Sequence, residues 1–223
     1  MNISVAIDGP AGSGKSTITK QVAKDLGFNY VDTGALYRSL SYTFLENNLR
    51  ELDEEKIAEI LKDTKIKVYF EDFKQYQEIN GVDITDKIRS NEVSTFTSLF
   101  AKSKNVRDYL IDTQRDLAKS CDVIMDGRDI GSVVLPNAEV KIYLTASVEE
   151  RASRRYKELT EAGEVVDIEA LKKDIEARDN QDKNREIAPL VKVDDAIEID
   201  TSDMTIDEVV AEIKEIIGKV RGK

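Results

Sequence analysis

Histidine is absent from the 223 residues, and Cys121 is the only cysteine. Without an imidazole there is no Ser-His or Cys-His nucleophile and no histidine metal ligand. With one thiol there is no intramolecular disulfide and no CxxC redox or zinc motif. Chemistry is left to lysine, arginine, carboxylates and backbone dipoles. Positive charge is also in short supply: 33 Lys and Arg against 44 Asp and Glu give a formal charge of −11, which argues against a nucleic-acid partner. Small anions remain open, because screening confines distant charges to about 8 Å and a local arginine cluster binds phosphate even in an acidic protein. No apolar run approaches the ~20 residues that span a bilayer. The start MNISVAIDGP lacks the basic region and long apolar segment of a signal peptide. A cytoplasmic protein with no membrane association is expected. With no internal repeat, Pro-rich linker or disordered tail, the length suits one domain, 1–223, with inserted subdomains.

What is present is a set of short apolar runs: ISVAI, FNYVD, DVIMD, VKIYL and AIEID. Their near-continuous hydrophobicity, with helical stretches between several of them, predicts an α/β fold with a parallel five-stranded sheet covered on both faces. Residues 16–25 read as a helix with Ile18, Val22 and Leu26 on one face and Gly27 as its C-cap. The segment MTIDEVVAEIKEIIGKV places Thr205 and Glu208 at capping-box spacing, with Ile206, Val209, Val210, Ile213, Ile217 and Val220 in one stripe. Between residues 64 and 85 the texture changes to Tyr, Phe and β-branched residues in partial alternation. This predicts short antiparallel strands in an insertion, with Asn80-Gly81 as the hairpin turn.

GPAGSGKST, residues 9–17, follows the first apolar run and precedes a helix. It fits G-x-x-x-x-G-K-[ST] in the strand–loop–helix context that gives the motif its meaning. Within Gly9, Pro10, Ala11, Gly12, Ser13 and Gly14 the glycines would let backbone N–H groups turn onto phosphates, and the helix N-terminus carrying Lys15, Ser16 and Thr17 adds a favourable dipole. Lys15 would reach the β- and γ-phosphates and the Ser16 hydroxyl would ligate Mg²⁺. Such a loop does not name a reaction. No NKxD-like guanine motif appears, so a GTPase switch is disfavoured.

Four further segments carry arginines. DTGALYR, residues 32–38, follows the second strand, where a turn on Gly34 would bring Thr33 and Arg38 to the carboxyl edge of the sheet, the ligand edge of open α/β folds. DGRDIG, residues 126–131, follows the third, with Asp126 placed to hold a metal-bound water and Arg128 and Asp129 beyond it. RASRRYKEL sets Arg151, Arg154 and Arg155 on one helical face, where like charges repel unless an anion or an acidic partner compensates. ARDNQDKNREIAPL has Arg178, Asp182 and Arg185 at helical spacing. Taken singly, each is equally a helix cap, a surface ion pair or a solvated face. Together they suit one anionic cleft.

The combination GPAGSGKST, DTGALYR, DGRDIG, VKIYLTASVEERASRRYKEL and ARDNQDKNREIAPL resembles the bacterial cytidylate kinases over nearly the whole chain. The resemblance implies a P-loop nucleoside monophosphate kinase that transfers a phosphoryl group from ATP, with Mg²⁺, to CMP or dCMP. It implies a monophosphate-binding region at 33–100 with a β-rich insertion at 64–97, a lid at 148–165, and a monomer. Lys15, Arg128 and Asp126 would be catalytic. Residues 9–17 with Arg151, Arg154 and Arg155 would bind ATP, and Ser16, with Asp126 through water, the metal. Arg38, Arg128 and Arg185 would grip the acceptor phosphate, with Thr33 and Tyr37 beside them. Ser98, Arg107 and Asp129 would read cytosine, and Arg178 and Asp182 the sugar. Gln181 and Lys183 stand where the family often has arginine. A monophosphate acceptor is already ionised at pH 7, its second pKa being about 6, so the missing histidine is no obstacle. A carboxylate at Asp129 would accept from the cytosine amino group and face an oxygen in uracil, a loss of about 1.5–3 kcal/mol, so UMP is expected to be a poor acceptor. Kinases of another small acceptor and nucleotide-dependent switches are the competing readings.

Overall fold

A computed structural model describes residues 2–222. In chain order the elements are β1 (Ser4–Asp8), α1 (Lys15–Leu26), β2 (Asn29–Asp32), α2 (Thr33–Glu46), α3 (Glu54–Lys62), β3 (Ile66–Glu71), β4 (Lys74–Ile79), β5 (Val82–Asp83), α4 (Asn91–Phe100) and α5 (Lys104–Ser120). There follow β6 (Val123–Gly127), a short π-type coil (Ile130–Val134), β7 (Val140–Thr145), α6 (Val148–Glu161), α7 (Ile168–Asn184), β8 (Ile197–Asp200) and α8 (Ile206–Arg221). The five apolar runs are the five strands of one sheet, ordered β2-β6-β1-β7-β8. β1 pairs with β7 and β7 with β8 in parallel, with Ile7 opposite Ile142 and Leu144 opposite Ile199. The chain divides into two compact units, Ile3–Gly27 with the chain from Ile124 onward, and Phe28–Val123.

In the first unit the strands read as unbroken apolar runs because they are covered by helices; Val5, Ala6, Ile124, Met125 and Leu144 have no exposed surface. Helix α1 ends as expected at Gly27, whose left-handed φ of 72° lets its N–H reach the Ala23 and Lys24 carbonyls. Helix α8 opens with a complete Thr205–Glu208 capping box and buries Val209, Val210, Ile213 and Ile217. Ile206, expected in the same stripe, is 53% exposed. It is the first helical residue, where the stripe has not yet come round to the sheet.

The second unit is built on α2, α3, α4 and α5, whose Leu36, Leu40, Phe44, Ile57, Phe100, Val106 and Leu110 make a common core. Phe44 meets Phe100 edge to face at 4.8 Å. The predicted insertion is present as a three-stranded antiparallel sheet, β3-β4-β5. Its longer hairpin turns at Asp72 and Phe73, both left-handed, while Asn80-Gly81 makes the tight turn from β4 to β5. The expected turn is therefore present, and the turn at Asp72 and Phe73 is a second one that the sequence does not announce. Phenylalanine at a left-handed position gives no turn signal in a sequence. Strand structure stops at Asp83, and the rest of the 64–97 stretch holds a short 3₁₀ turn and the start of α4.

Candidate functional site

The loop between β1 and α1 passes hard against β7: a Cβ on Gly9 would lie 1.9 Å from the Leu144 carbonyl oxygen, so only glycine fits. Gly12 and Gly14 have φ of 76° and 81°, and Gly14 caps α1 without a side-chain hydrogen bond. The first-turn N–H groups of α1 thus lack a side-chain acceptor at the cap, the arrangement that receives phosphate oxygens. Lys15 is buried and folds its ammonium back onto the loop, donating to the carbonyls of Gly9 (2.7 Å) and Pro10 (2.6 Å) and to Ser13 Oγ (3.2 Å). Burial, then the Arg128 charge, hold its pKa well below the usual lysine value, while Asp126, Asp8 and Asp182 oppose the shift. Donor loop, Asp126 and Arg128 therefore share one electrostatic environment.

Ser16 Oγ donates to Asp126 Oδ2 at 2.7 Å. This pair is the hydroxyl and carboxylate that the P-loop and the end of the third core strand were expected to bring together. No group of three or more Cys, Asp or Glu side chains able to cage a metal occurs among the described residues. A lone hydroxyl–carboxylate pair suits Mg²⁺, which keeps waters and substrate phosphates as most of its ligands.

Beyond β6 the side chains form a linked ionic cluster. Arg128 Nε donates to Asp182 Oδ2 at 2.7 Å, and Arg185 Nη2 donates to Asp129 Oδ1 at 3.2 Å. Arg185 Nε also donates to the Ala188 carbonyl, and Nη1 lies 4.0 Å from Asp182. Helix α7 supplies Asp182, but Arg185 stands at its C-cap in extended conformation, so the expected helical spacing of Arg178, Asp182 and Arg185 does not continue to the third residue. Arg178 is separate, 64% exposed and paired with Asp174 at 3.0 Å.

On helix α6 the compensation that the three arginines were expected to need comes from acidic partners. Arg151 is 3% exposed, with Nε on the Ala146 carbonyl (3.0 Å), Nη1 on the Ala11 carbonyl (2.9 Å), and both terminal nitrogens on Asp179 (3.0 and 2.5 Å). Arg154 donates to Glu150 and to the Thr201 hydroxyl and carbonyl, and Arg155 to Glu158. Each guanidinium already has a carboxylate, which removes the repulsion. Nothing in the spacing announced Asp179, 28 residues away.

In the second unit, DTGALYR does not turn on Gly34. Asp32 caps α2 by accepting from Ala35 N–H at 2.9 Å, and its other oxygen takes Arg38 Nη2 at 2.9 Å. Helix entry wins because an aspartate directly before a helical run satisfies its orphan N–H groups. Gly34 instead makes room: a Cβ there would lie 3.1 Å from both Arg38 Nη1 and Asp32 Oδ1. Buried Gln75 of β4 accepts from the Asp32 N–H at 2.7 Å, a contact unreadable from sequence. Arg107 is buried, donates to the Ala101 carbonyl at 2.7 Å and lies 5.7 Å from the Tyr37 ring. Thr33 is buried at the start of α2 and Ser98 exposed on α4. A polar cavity of about 820 Å³ in this unit, lined from Thr43 to Asn80, touches none of these residues.

A Gly-rich strand–loop–helix, a buried lysine in the loop and a serine–aspartate pair at the end of the neighbouring core strand define an α/β protein of the P-loop NTPase class. The chain belongs to the cytidylate kinase family, whose model matches residues 5–219. It is 51% identical to a cytidylate kinase of Geobacillus sp. (strain WCH70) over 98% of this chain and 97% of that protein. It is 48% identical to one from Bacillus subtilis (strain 168) over 96% of each. Among solved structures an uncharacterised protein from Eubacterium ventriosum shares the fold at TM-score 0.53 and 13% identity, over 98% of this chain and 99% of that one. No described helix is long and apolar enough to cross a membrane.

Proposed function

We propose that the chain transfers the γ-phosphoryl group of ATP to CMP or dCMP, giving ADP and CDP or dCDP. The observation that carries this reading is the linked Arg128–Asp182 and Arg185–Asp129 ion pairs, of which Arg128 and Asp182 act on the charge of Lys15. Cations held by carboxylates beside a P-loop are an acceptor-phosphate site in waiting, since an incoming phosphate exchanges for the carboxylate at little cost in desolvation.

Residues 9–17 would cradle the triphosphate. Arg154 and Arg155 would add charge to it by leaving Glu150 and Glu158, as part of a lid at 148–165, while Arg151 supports the loop from its buried position. Ser16, with Asp126 through water, would hold Mg²⁺, which when bound neutralises charge on the phosphate oxygens. A phosphate oxygen of CMP attacks the γ-phosphorus as the bond to ADP breaks. The acceptor arrives ionised, so no side chain need remove a proton. Catalysis is then positioning and stabilisation of spread negative charge, assigned to Lys15, released from its loop carbonyls, and to Arg128.

By the family resemblance, Arg128, Arg185, Arg38, Thr33 and Tyr37 are assigned to the acceptor phosphate, Asp129, Ser98 and Arg107 to the base, and Arg178 with Asp182 to the sugar; the 33–100 region is the monophosphate-binding region. The substrates suit a monomer working in the cytoplasm. A coupled ADP-release assay with CMP, dCMP, UMP, AMP and shikimate tests the reading. CMP and dCMP are expected to be preferred; equal turnover across the panel overturns it.

A further inference from the structure

Asp8 ends β1, one residue before the P-loop, and is 6% exposed. Its two carboxylate oxygens are fully committed: Oδ1 accepts the Ile130 N–H at 2.8 Å and Oδ2 the Gly131 N–H at 2.7 Å. These are consecutive amides at the start of the coil whose first turn is closed by the Asp129 carbonyl, which takes Val133 and Val134 N–H at 2.9 and 3.1 Å. A single side chain therefore fixes the backbone on the far side of Asp129. Arg128 and Asp129 project from that same stretch toward Asp182 and Arg185. The approach is close: a Cβ on Gly131 would already touch Asp8 Oδ2 at 3.4 Å and the flexible Lys141 side chain at 3.3 Å (Cδ), so a larger side chain there would crowd the carboxylate.

The carboxylate is an expensive way to hold two amides. Burial, with the nearby Asp129 charge, outweighs the two hydrogen bonds and Lys15, and lifts its pKa to about 6. A charge kept in so unfavourable a setting, on a strand already paired with β7, does little for the sheet. Its geometry serves the segment across from it.

We propose that Asp8 is a positioning residue for acceptor recognition, locking the backbone of residues 129–131 so that Arg128 and Asp129 meet the acceptor nucleotide in register with the donor loop. The inference rests on the assignment of Arg128 and Asp129 to the acceptor. It adds a residue that touches neither substrate and acts through two that do.

The test is steady-state kinetics of Asp8→Asn, which keeps the shape but replaces one acceptor oxygen with an NH₂ group facing an N–H. KM for CMP is expected to rise roughly tenfold, as for loss of one charge-assisted hydrogen bond. The CMP-over-UMP preference should fall in step, with KM for ATP near wild type. Gly131→Val, whose γ carbons reach past the contact distance of an added Cβ, crowds the same junction without changing a β1 residue and should reproduce the KM split; it decides the matter should Asp8→Asn fail to fold. KM values for CMP and ATP that stay put, or rise together, overturn the proposal. Asp129→Ala in parallel separates the two claims. If it leaves the CMP-over-UMP ratio unchanged, the reading of Asp129 as the cytosine contact fails, and Asp8 stands or falls on its KM split alone.

Discussion

Arg151 and Asp179 form a two-pronged ion pair, Nη1 to Oδ1 at 3.0 Å and Nη2 to Oδ2 at 2.5 Å, with the arginine side chain 3% exposed. The remaining donors of Arg151 reach the carbonyls of Ala11 in the P-loop and Ala146 after β7. Its aliphatic stem also lies under Gly12, at 3.4 Å from the position of an added Cβ. One buried cation thus joins α6, α7 and the donor loop within the first unit.

Removing one partner of this pair leaves a buried charge uncompensated. Asp179→Ala or Arg151→Ala is expected to cost about 3–5 kcal/mol of stability. At roughly 2–4 °C per kcal/mol for a chain of this size, the thermal midpoint should drop by about 10 °C. The double variant should cost less than the two singles added together, which a double-mutant cycle on thermal or urea unfolding measures.

Asp8 makes stability depend on pH with a definite sign. Its pKa is raised from 3.8 unfolded to about 6 folded, by burial first and by Asp129, against Ile130 and Gly131 N–H groups and Lys15. Between those values the folded state binds more proton than the unfolded. The contribution of this group is therefore full below 3.8 and lost as pH rises through 6, a change of about 3 kcal/mol. Stability of wild type relative to Asp8→Asn should fall by that order between pH 4 and 7.5. A flat difference in urea unfolding across that range would show that Asp8 does not titrate in this way.

Lys15→Ala should lower turnover by about 10²–10³-fold, the scale for removing one donor aimed at developing charge. Stability should be unchanged or higher at neutral pH, because burial holds the lysine pKa down and the protonated form is costly. Rapid-quench kinetics with saturating ATP and CMP, next to a thermal melt, check both parts.

Arg38→Ala should raise KM for CMP by tenfold or more while KM for ATP is kept, the loss expected of a charge-assisted contact. Gly34→Ala should act in the same direction more weakly, since its Cβ would sit 3.1 Å from Arg38 Nη1 and crowd the Arg38–Asp32 pair. Initial-rate kinetics with CMP varied at fixed ATP distinguishes these outcomes from a general loss of activity.

The strands and the donor loop were legible because local signals suffice for them. FNYVD and VKIYL can only be buried strands between helices, and GPAGSGKST has one use in its strand–loop–helix setting. DTGALYR misled because Asp32 before a helical run caps that run more favourably than Gly34 turns the chain. The arginines of α6 announced a need for compensation but not its source: spacing along one helix says nothing of a carboxylate brought in by another.

The sequence by itself determined which chemistry is available: no histidine and one cysteine, a phosphate loop, and arginines placed after strands. It also determined the five strands of the sheet, four of them largely buried and the edge strand β8 mostly exposed, since strand pattern is written in runs a few residues long. Only the tertiary structure decided how those charges are spent. Arg151 is committed to Asp179, Arg128 to Asp182, Arg185 to Asp129, and Asp8 to two backbone amides 122 and 123 residues away. Such pairings depend on where the parallel sheet brings distant strand ends together, and burial then makes each unpaired alternative too costly to keep.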